Sequence, residues 1–221
     1  MGEHLIKYRL RDDINIECGF VCKGNHILAA VLKTDDVISE LPLSLFKSIN
    51  FKTTSALIGS IFAEHLAFIT GSIVNPIEKG HPDIIPISGS DSNEQELRNY
   101  PKGIEIKVTV GNIIQGKKLK AGDERIDFLT GITWQAHHRE VSSLMGVIWD
   151  FIEYKNKKVP LITGIFFSDK LNAHDWGKIS GLSGRNTKVT GMTASGKKKM
   201  GNGWILILDN KKYLSKYTRL L

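Results

Sequence analysis

The stretch Gly103-Ile104-Glu105-Ile106-Lys107-Val108-Thr109 limits what this chain can fold into more than any other part of it. Ile104, Ile106 and Val108 alternate with Glu105, Lys107 and Thr109, and a period of two fits a β-strand with one face buried. On such a strand Glu105 and Lys107 project from the same face, about 7 Å apart at roughly 3.3 Å per residue. Upstream stands Gly80-His81-Pro82-Asp83-Ile84-Ile85. If residues 73–87 and 103–110 pair as a hairpin, Asp83 joins the other two, and two carboxylates and an ammonium converge. Such a trio suits a metal ion and a water, not a core.

The 221 residues are enough for one domain with a real core, and 41% hydrophobic with 24% charged residues is ordinary for a globular protein. No apolar run approaches the roughly 20 residues that cross a bilayer, and the first residues lack a signal-peptide pattern. With only Cys18 and Cys22 there is no disulfide framework, which fits a reducing cytoplasm. Zinc at Cys18, Cys22 and His26 lacks a fourth ligand, so buried thiols are expected.

A helix is expected from Thr53, Thr54 or Ser55 to about Thr70, stopped by Gly71, with Glu64 on the edge of its apolar face. Pro42 opens a short helix through Lys47, while His26 to Leu32 reads as helix or strand. Arg125–Trp134, Val141–Glu153 and Val159–Ser168 read as strands, the last two turning at Asn156-Lys157-Lys158, and Trp204 to Leu208 as a final strand. Gly191 to Lys198 nearly matches a phosphate-binding loop. Lys198 stands where that loop needs Ser or Thr, and no helix is evident after it, so no nucleotide cofactor is expected.

Asp83 and Glu105 on adjacent strands are oxygen ligands for a hard divalent cation, with the backbone carbonyl of Ile106 as a third. Such a cation acidifies a bound water and neutralises charge on a phosphoryl oxygen, and Lys107 can hold the attacking water. Hydrolysis of a phosphodiester needs this set of groups.

Pro82-Asp83 followed by Glu105-Ile106-Lys107 resembles the signature of the PD-(D/E)XK nuclease superfamily: Pro-Asp, a variable loop, then Asp or Glu, any residue, and Lys. The helix bearing Glu64 matches too, since many members carry an accessory acidic ligand there. The likeness covers residues 54–110. Within the superfamily, size and the basic C-terminal region most resemble type II restriction endonucleases. The resemblance implies an α/β fold with a restriction-endonuclease-like core, a central mixed β-sheet flanked by helices. It also implies Mg²⁺-dependent cleavage of double-stranded DNA by a homodimer, leaving 5′-phosphate and 3′-hydroxyl ends. Asp83 and Glu105 would be metal ligands, Lys107 would position the water, and Glu64 would be an accessory acid.

Charge supports a polyanionic partner. From Trp176 onward ten basic residues face one acid, Asp209, so this segment carries +9 and the remainder −2 of the net +7. Residues 171–203 therefore read as a DNA-contacting insertion or loop region within a single domain, 1–221. Arg185, Asn186 and Lys188 suit base edges, and Lys197, Lys198 and Lys199 suit phosphates. Gln135 and His137 approach the metal site or the phosphate if their strand pairs beside Glu105. Two other readings stay open: a repair or recombination nuclease that recognises DNA structure, and a DNA-binding protein without activity.

Overall fold

A computed structural model of the protein describes residues 6–110, 134–135, 143–179 and 189–217. In chain order come β1 (Tyr8–Leu10), the hairpin β2 (Asn15–Glu17) and β3 (Val21–Lys23), then α1 (Gly24–Glu40), α2 (Leu43–Ser48) and α3 (Phe51–Thr70). They are followed by β4 (Ile73–Val74), β5 (Ile84–Ile85), α4 (Glu94–Leu97), β6 (Glu105–Thr109) and β7 (Trp134–Gln135). The last are β8 (Leu144–Tyr154), β9 (Lys157–Ser168), β10 (Val189–Thr190), α5 (Ala194–Asn202), β11 (Trp204–Leu208) and α6 (Lys211–Tyr217).

The centre is a five-stranded mixed sheet in the order β1-β11-β9-β8-β6, with helices on both sides. Only β6 and β8 run parallel; the other neighbours are antiparallel. Period two in β8 sends Met145, Val147 and Trp149 to one face and Leu144 and Ile148 to the other. The first face is covered by α1 and α3. Along α1 the buried set Ile27, Ala30, Val31, Thr34 and Ile38 repeats at helical spacing, and along α3 so does Ile58, Phe62, Leu66. The second face packs on Met200 of α5 and Tyr213 and Tyr217 of α6.

Several boundaries differ from the sequence reading. The N-cap of α3 is Asn50, whose side chain accepts from Thr53 N–H, so the helix starts before the expected Thr53. Gly71 ends it as expected, at φ 67°. The β8–β9 turn is Lys155-Asn156, both left-handed (φ 49° and 60°), and Lys157 and Lys158 belong to β9. The polar stretch after β5 contains α4, whose N-cap Asn93 forms a capping box with Glu96. Residues 194–202 are helical where none was expected. Thr193 caps that helix, so Gly196 lies inside its first turns and its N–H meets Thr193 Oγ1, not a phosphate. Apart from Trp134, the strand expected over 125–134 lies outside the described residues. Cys18 and Cys22 are free and buried, and burial pushes their thiols up to about 11 and about 12. Among the described residues no helix is long and apolar enough to cross a membrane.

One buried group gives the fold a pH dependence. Asp35 of α1 is 3% exposed, and its Oδ1 accepts the Ile162 N–H of β9 at 3.0 Å. Tyr8 Oη sits on both Asp35 Oδ2 and Ile162 O, so one hydroxyl proton faces two acceptors. A proton on Asp35 supplies the missing donor. Burial, opposed by those hydrogen bonds, raises this carboxyl to about 7. Between its unfolded value near 4 and that value, the folded state holds a proton the unfolded chain has released. Asp35 therefore costs stability as pH rises through that window, at up to about 1.4 kcal/mol per pH unit. Asp35→Asn keeps the shape, an oxygen to accept the Ile162 N–H and an N–H to donate toward Tyr8 Oη. It should match the wild type near pH 4 and melt higher above pH 7 in thermal unfolding; a stability gap independent of pH would contradict this.

Candidate active site

One edge of the five-stranded sheet is β6, and there the sequence motif assembles. Glu105 N–H bonds to Ser143 O on the β8 side at 3.0 Å. Because peptide groups alternate along a strand, Ile106 N–H points outward, where it donates to Asp83 Oδ2 at 2.7 Å. The carbonyl of a strand residue points the same way as its N–H, so Ile106 also turns its oxygen to this edge. Asp83 is brought there by two short pairings. Ile84 lies opposite Val74 of β4 on one side, and on the other it exchanges backbone hydrogen bonds of 3.1 and 2.9 Å with Ile104. The expected hairpin is thus reduced to a bridge, yet it still sets Asp83 beside β6.

A buried side chain that the sequence reading passed over holds the Asp83 loop. Asn75 Nδ2 donates to Pro82 O (3.2 Å) and Leu97 O (2.9 Å), and Asn75 N–H to Asp83 O (2.8 Å). Its Oδ1 accepts from Ile77 N–H at 3.3 Å, so the amide is fully used in orienting the loop.

Asp83, Glu105, Ile106 and Lys107 line one cavity of about 410 Å³, with His81 beside them and α3 as the opposite wall through Lys52, Ser55, Gly59 and Ser60. Ser55 Oγ accepts from Trp149 Nε1 at 2.8 Å, which fixes that wall to the sheet. Burial and then the charge of Glu105 raise the Asp83 carboxyl to about 7, against the Ile106 N–H and His81, which lower it. Glu105 is 2% exposed, and its Oε2 lies 3.2 Å from His81 Nδ1. Burial depresses Lys107, as does Lys52, while Glu105 pulls the other way. Two crowded carboxylates and two lysines lining one cavity make a polar site of high potential.

The donor set fits a hard divalent cation. It is oxygen only, and the repulsion that raises Asp83 is what a cation between the carboxylates relieves. Among the described residues no group of three or more His, Cys, Asp and Glu is arranged to hold a metal. The protein would supply two carboxylates and one carbonyl, leaving positions to water, as suits Mg²⁺.

The remaining expected site residues fare differently. Glu64 is exposed on α3 and is not among the cavity-lining residues, which end on that helix at Ala63. Gln135 lies in β7, opposite Val189 of β10 and not beside β6. His137, Arg185, Asn186 and Lys188 lie outside the described residues. Lys197 and Lys198 stand on α5, half-buried and exposed. Lys199 is engaged within the protein, its Nζ donating to Asp175 Oδ2 (2.7 Å) and Lys170 O (2.8 Å). It clasps α5 to the turn before it instead of facing solvent. Lys52 was missed because the expected start of α3 fell after it; Asn50 was the signal that would have placed it. His81, given no role in the sequence reading, touches Glu105 directly. No protein-family model matches the chain, and no curated protein or solved structure matches it either.

Proposed function

We propose that this protein is a metal-dependent endonuclease of the PD-(D/E)XK kind, cutting double-stranded DNA at specific sites in the manner of a type II restriction enzyme. In this reading the mixed sheet with α3 and β6 is a restriction-endonuclease-like core. The observation that carries it is the hydrogen bond from Ile106 N–H to Asp83, which gathers Asp83, Glu105 and Lys107 into one cavity at a sheet edge. The resemblance of the motif and the basic C-terminal segment add to it.

Asp83, Glu105 and the Ile106 carbonyl would hold Mg²⁺. When bound, the cation draws charge from the phosphoryl oxygens and makes a water more acidic. Lys107, already reluctant to keep its proton, orients the attacking water and stabilises the negative charge that grows on phosphorus. The water oxygen forms a bond to phosphorus and gives up its proton to solvent while the bond to the 3′-oxygen breaks in line. The 3′-oxygen takes a proton from solvent, leaving a 3′-hydroxyl and a 5′-phosphate. A homodimer would present two such cavities to the two strands of a palindromic site.

Incubation with phage DNA and Mg²⁺ tests the reading. Discrete fragments are expected. A smear would replace sequence recognition by general or structure-directed cleavage, and intact DNA of retarded mobility would leave only a binding protein.

A further inference from the structure

The sequence assigned the grip on DNA to the C-terminal basic segment. We infer that a different surface, running from the cavity across the start of α3 to the β8–β9 hairpin, holds the phosphate backbone of the duplex beside the cut. The inference rests on the nuclease reading for the identity of its partner.

Three adjoining hollows form this track. Lys52 lines the catalytic cavity, and its neighbour Phe51 lines a second hollow of about 360 Å³ together with Lys47, Phe151 and Lys158. Phe151 and Lys158 then border a third, with Asn156 and Lys157. Lys47, Lys52, Lys157 and Lys158 are all exposed. Among the described residues none of the four forms an ion pair. Among the described residues, Glu153 is the one acid bordering the third hollow and none borders the second. The start of the 20-residue helix α3 adds its partial positive charge at the middle of the track.

Strand register gives the track a direction and a length. Lys107 is opposite Gly146 on β8, and Lys158 is opposite Glu153 of the same strand. Seven residues along a strand span about 23 Å. Along duplex DNA that is roughly seven base pairs, at about 3.4 Å per phosphate on each strand. A catalytic cavity at one end and exposed lysines reaching such a distance from it fit a polymer of phosphates, not a small anion. A single strand held by stacked bases is disfavoured, because the aromatic residues are already used. Phe51 meets Trp149 and Phe151 edge to face at 6.0 and 6.2 Å, and Trp149 meets Phe151 at 5.5 Å. Set at 62–73° to one another, they stiffen the floor of the track and present no row of parallel ring faces for successive bases.

The test is the salt dependence of binding to a labelled duplex several turns long, by fluorescence anisotropy, with Ca²⁺ in place of Mg²⁺ over about 50 to 200 mM salt. Each phosphate contact contributes about 0.9 to the slope of log affinity against log salt. The double variant Lys47→Ala/Lys158→Ala should therefore bind with a slope shallower by about 1.8. Lys7→Ala/Lys33→Ala removes the same charge from exposed positions off the track and outside the C-terminal basic segment, and should keep the wild-type slope. An unchanged slope in the first variant, or equal losses in both, overturns the inference, as does a wild type that binds no duplex at low salt. Cleavage of the same duplex in Mg²⁺ is scored separately. A wild type that cuts, with the slope intact in Lys47→Ala/Lys158→Ala, removes the track and leaves the nuclease. A slope lost as expected without any cutting does the reverse.

Discussion

Asp83→Asn should cut DNA on the order of 10³-fold more slowly than the wild type while binding it equally well. Asparagine retains an oxygen to accept the Ile106 N–H, the bond that fixes Asp83 at 2.7 Å from β6. What it removes is the charge. The carboxylate crowded by Glu105 and raised to about 7 becomes neutral. Above that pH the variant should unfold no more easily than the wild type, since a buried repulsion is gone. Asp83→Ala should lose cleavage to the same degree but also stability, by about 1–3 kcal/mol for the unmet N–H. Cleavage rates with thermal melts of the two variants separate charge from scaffold. Asp83→Asn that cuts normally, or that binds DNA no better than an unfolded chain, would contradict the assignment. Lys107→Ala should also lose cleavage, by about 10²–10³-fold, with no loss of affinity for DNA.

Gly103→Ala should destroy the site without touching a catalytic group. Gly103 has φ 141°, in a region closed to side-chain-bearing residues. A Cβ there would lie 2.2 Å from Ile84 O and 2.8 Å from Pro82 Cγ. The oxygen of Ile84 is the one that Ile104 N–H must reach to bring Asp83 to β6. The methyl group and the bridge cannot share that space, so the loop must move. Strained backbone with a lost hydrogen-bond pair should cost about 2–4 kcal/mol, read as a lower midpoint in urea. Cleavage should fall together with Asp83→Asn, whereas an alanine at Gly71, where a Cβ meets nothing within 4 Å, should leave activity intact. Full activity in Gly103→Ala would mean that the Ile84–Ile104 bridge does not position Asp83.

The parts of the fold legible in the sequence are those whose periodicity is long and whose chemistry is local. The strand of Trp204 to Leu208 and the core of β8 and β9 show as apolar runs, and α3 as a wide stripe ended by glycine. The run from His26 to Leu32 is apolar without a clear period, so α1 stayed undecided until tertiary contacts with β9 are seen. Residues 194–202 carry two glycines and a single large apolar residue, poor signs of a helix, and the helix exists because Thr193 caps it and Met200 buries on the sheet. The site divides in the same way. Asp83, Glu105 and Lys107 announce themselves by residue type and spacing. Their convergence depends on Asn75, Gly103 and a two-residue bridge, none of which has a pattern to detect. Lys52 and the lysines of the hairpin are scattered over 106 positions, and only packing places them along one line with the cavity.

The most direct test of the Asp83–Glu105–Lys107 cavity is the fate of supercoiled plasmid incubated with purified protein, with Mg²⁺ and with excess chelator. Wild type in Mg²⁺ should convert it to open-circular and linear forms whose ends carry 5′-phosphate, and chelator or Lys107→Ala should each prevent the conversion. Plasmid left supercoiled by the wild type at every Mg²⁺ concentration, or cut equally by Lys107→Ala, would contradict the assignment of this cavity to phosphodiester hydrolysis.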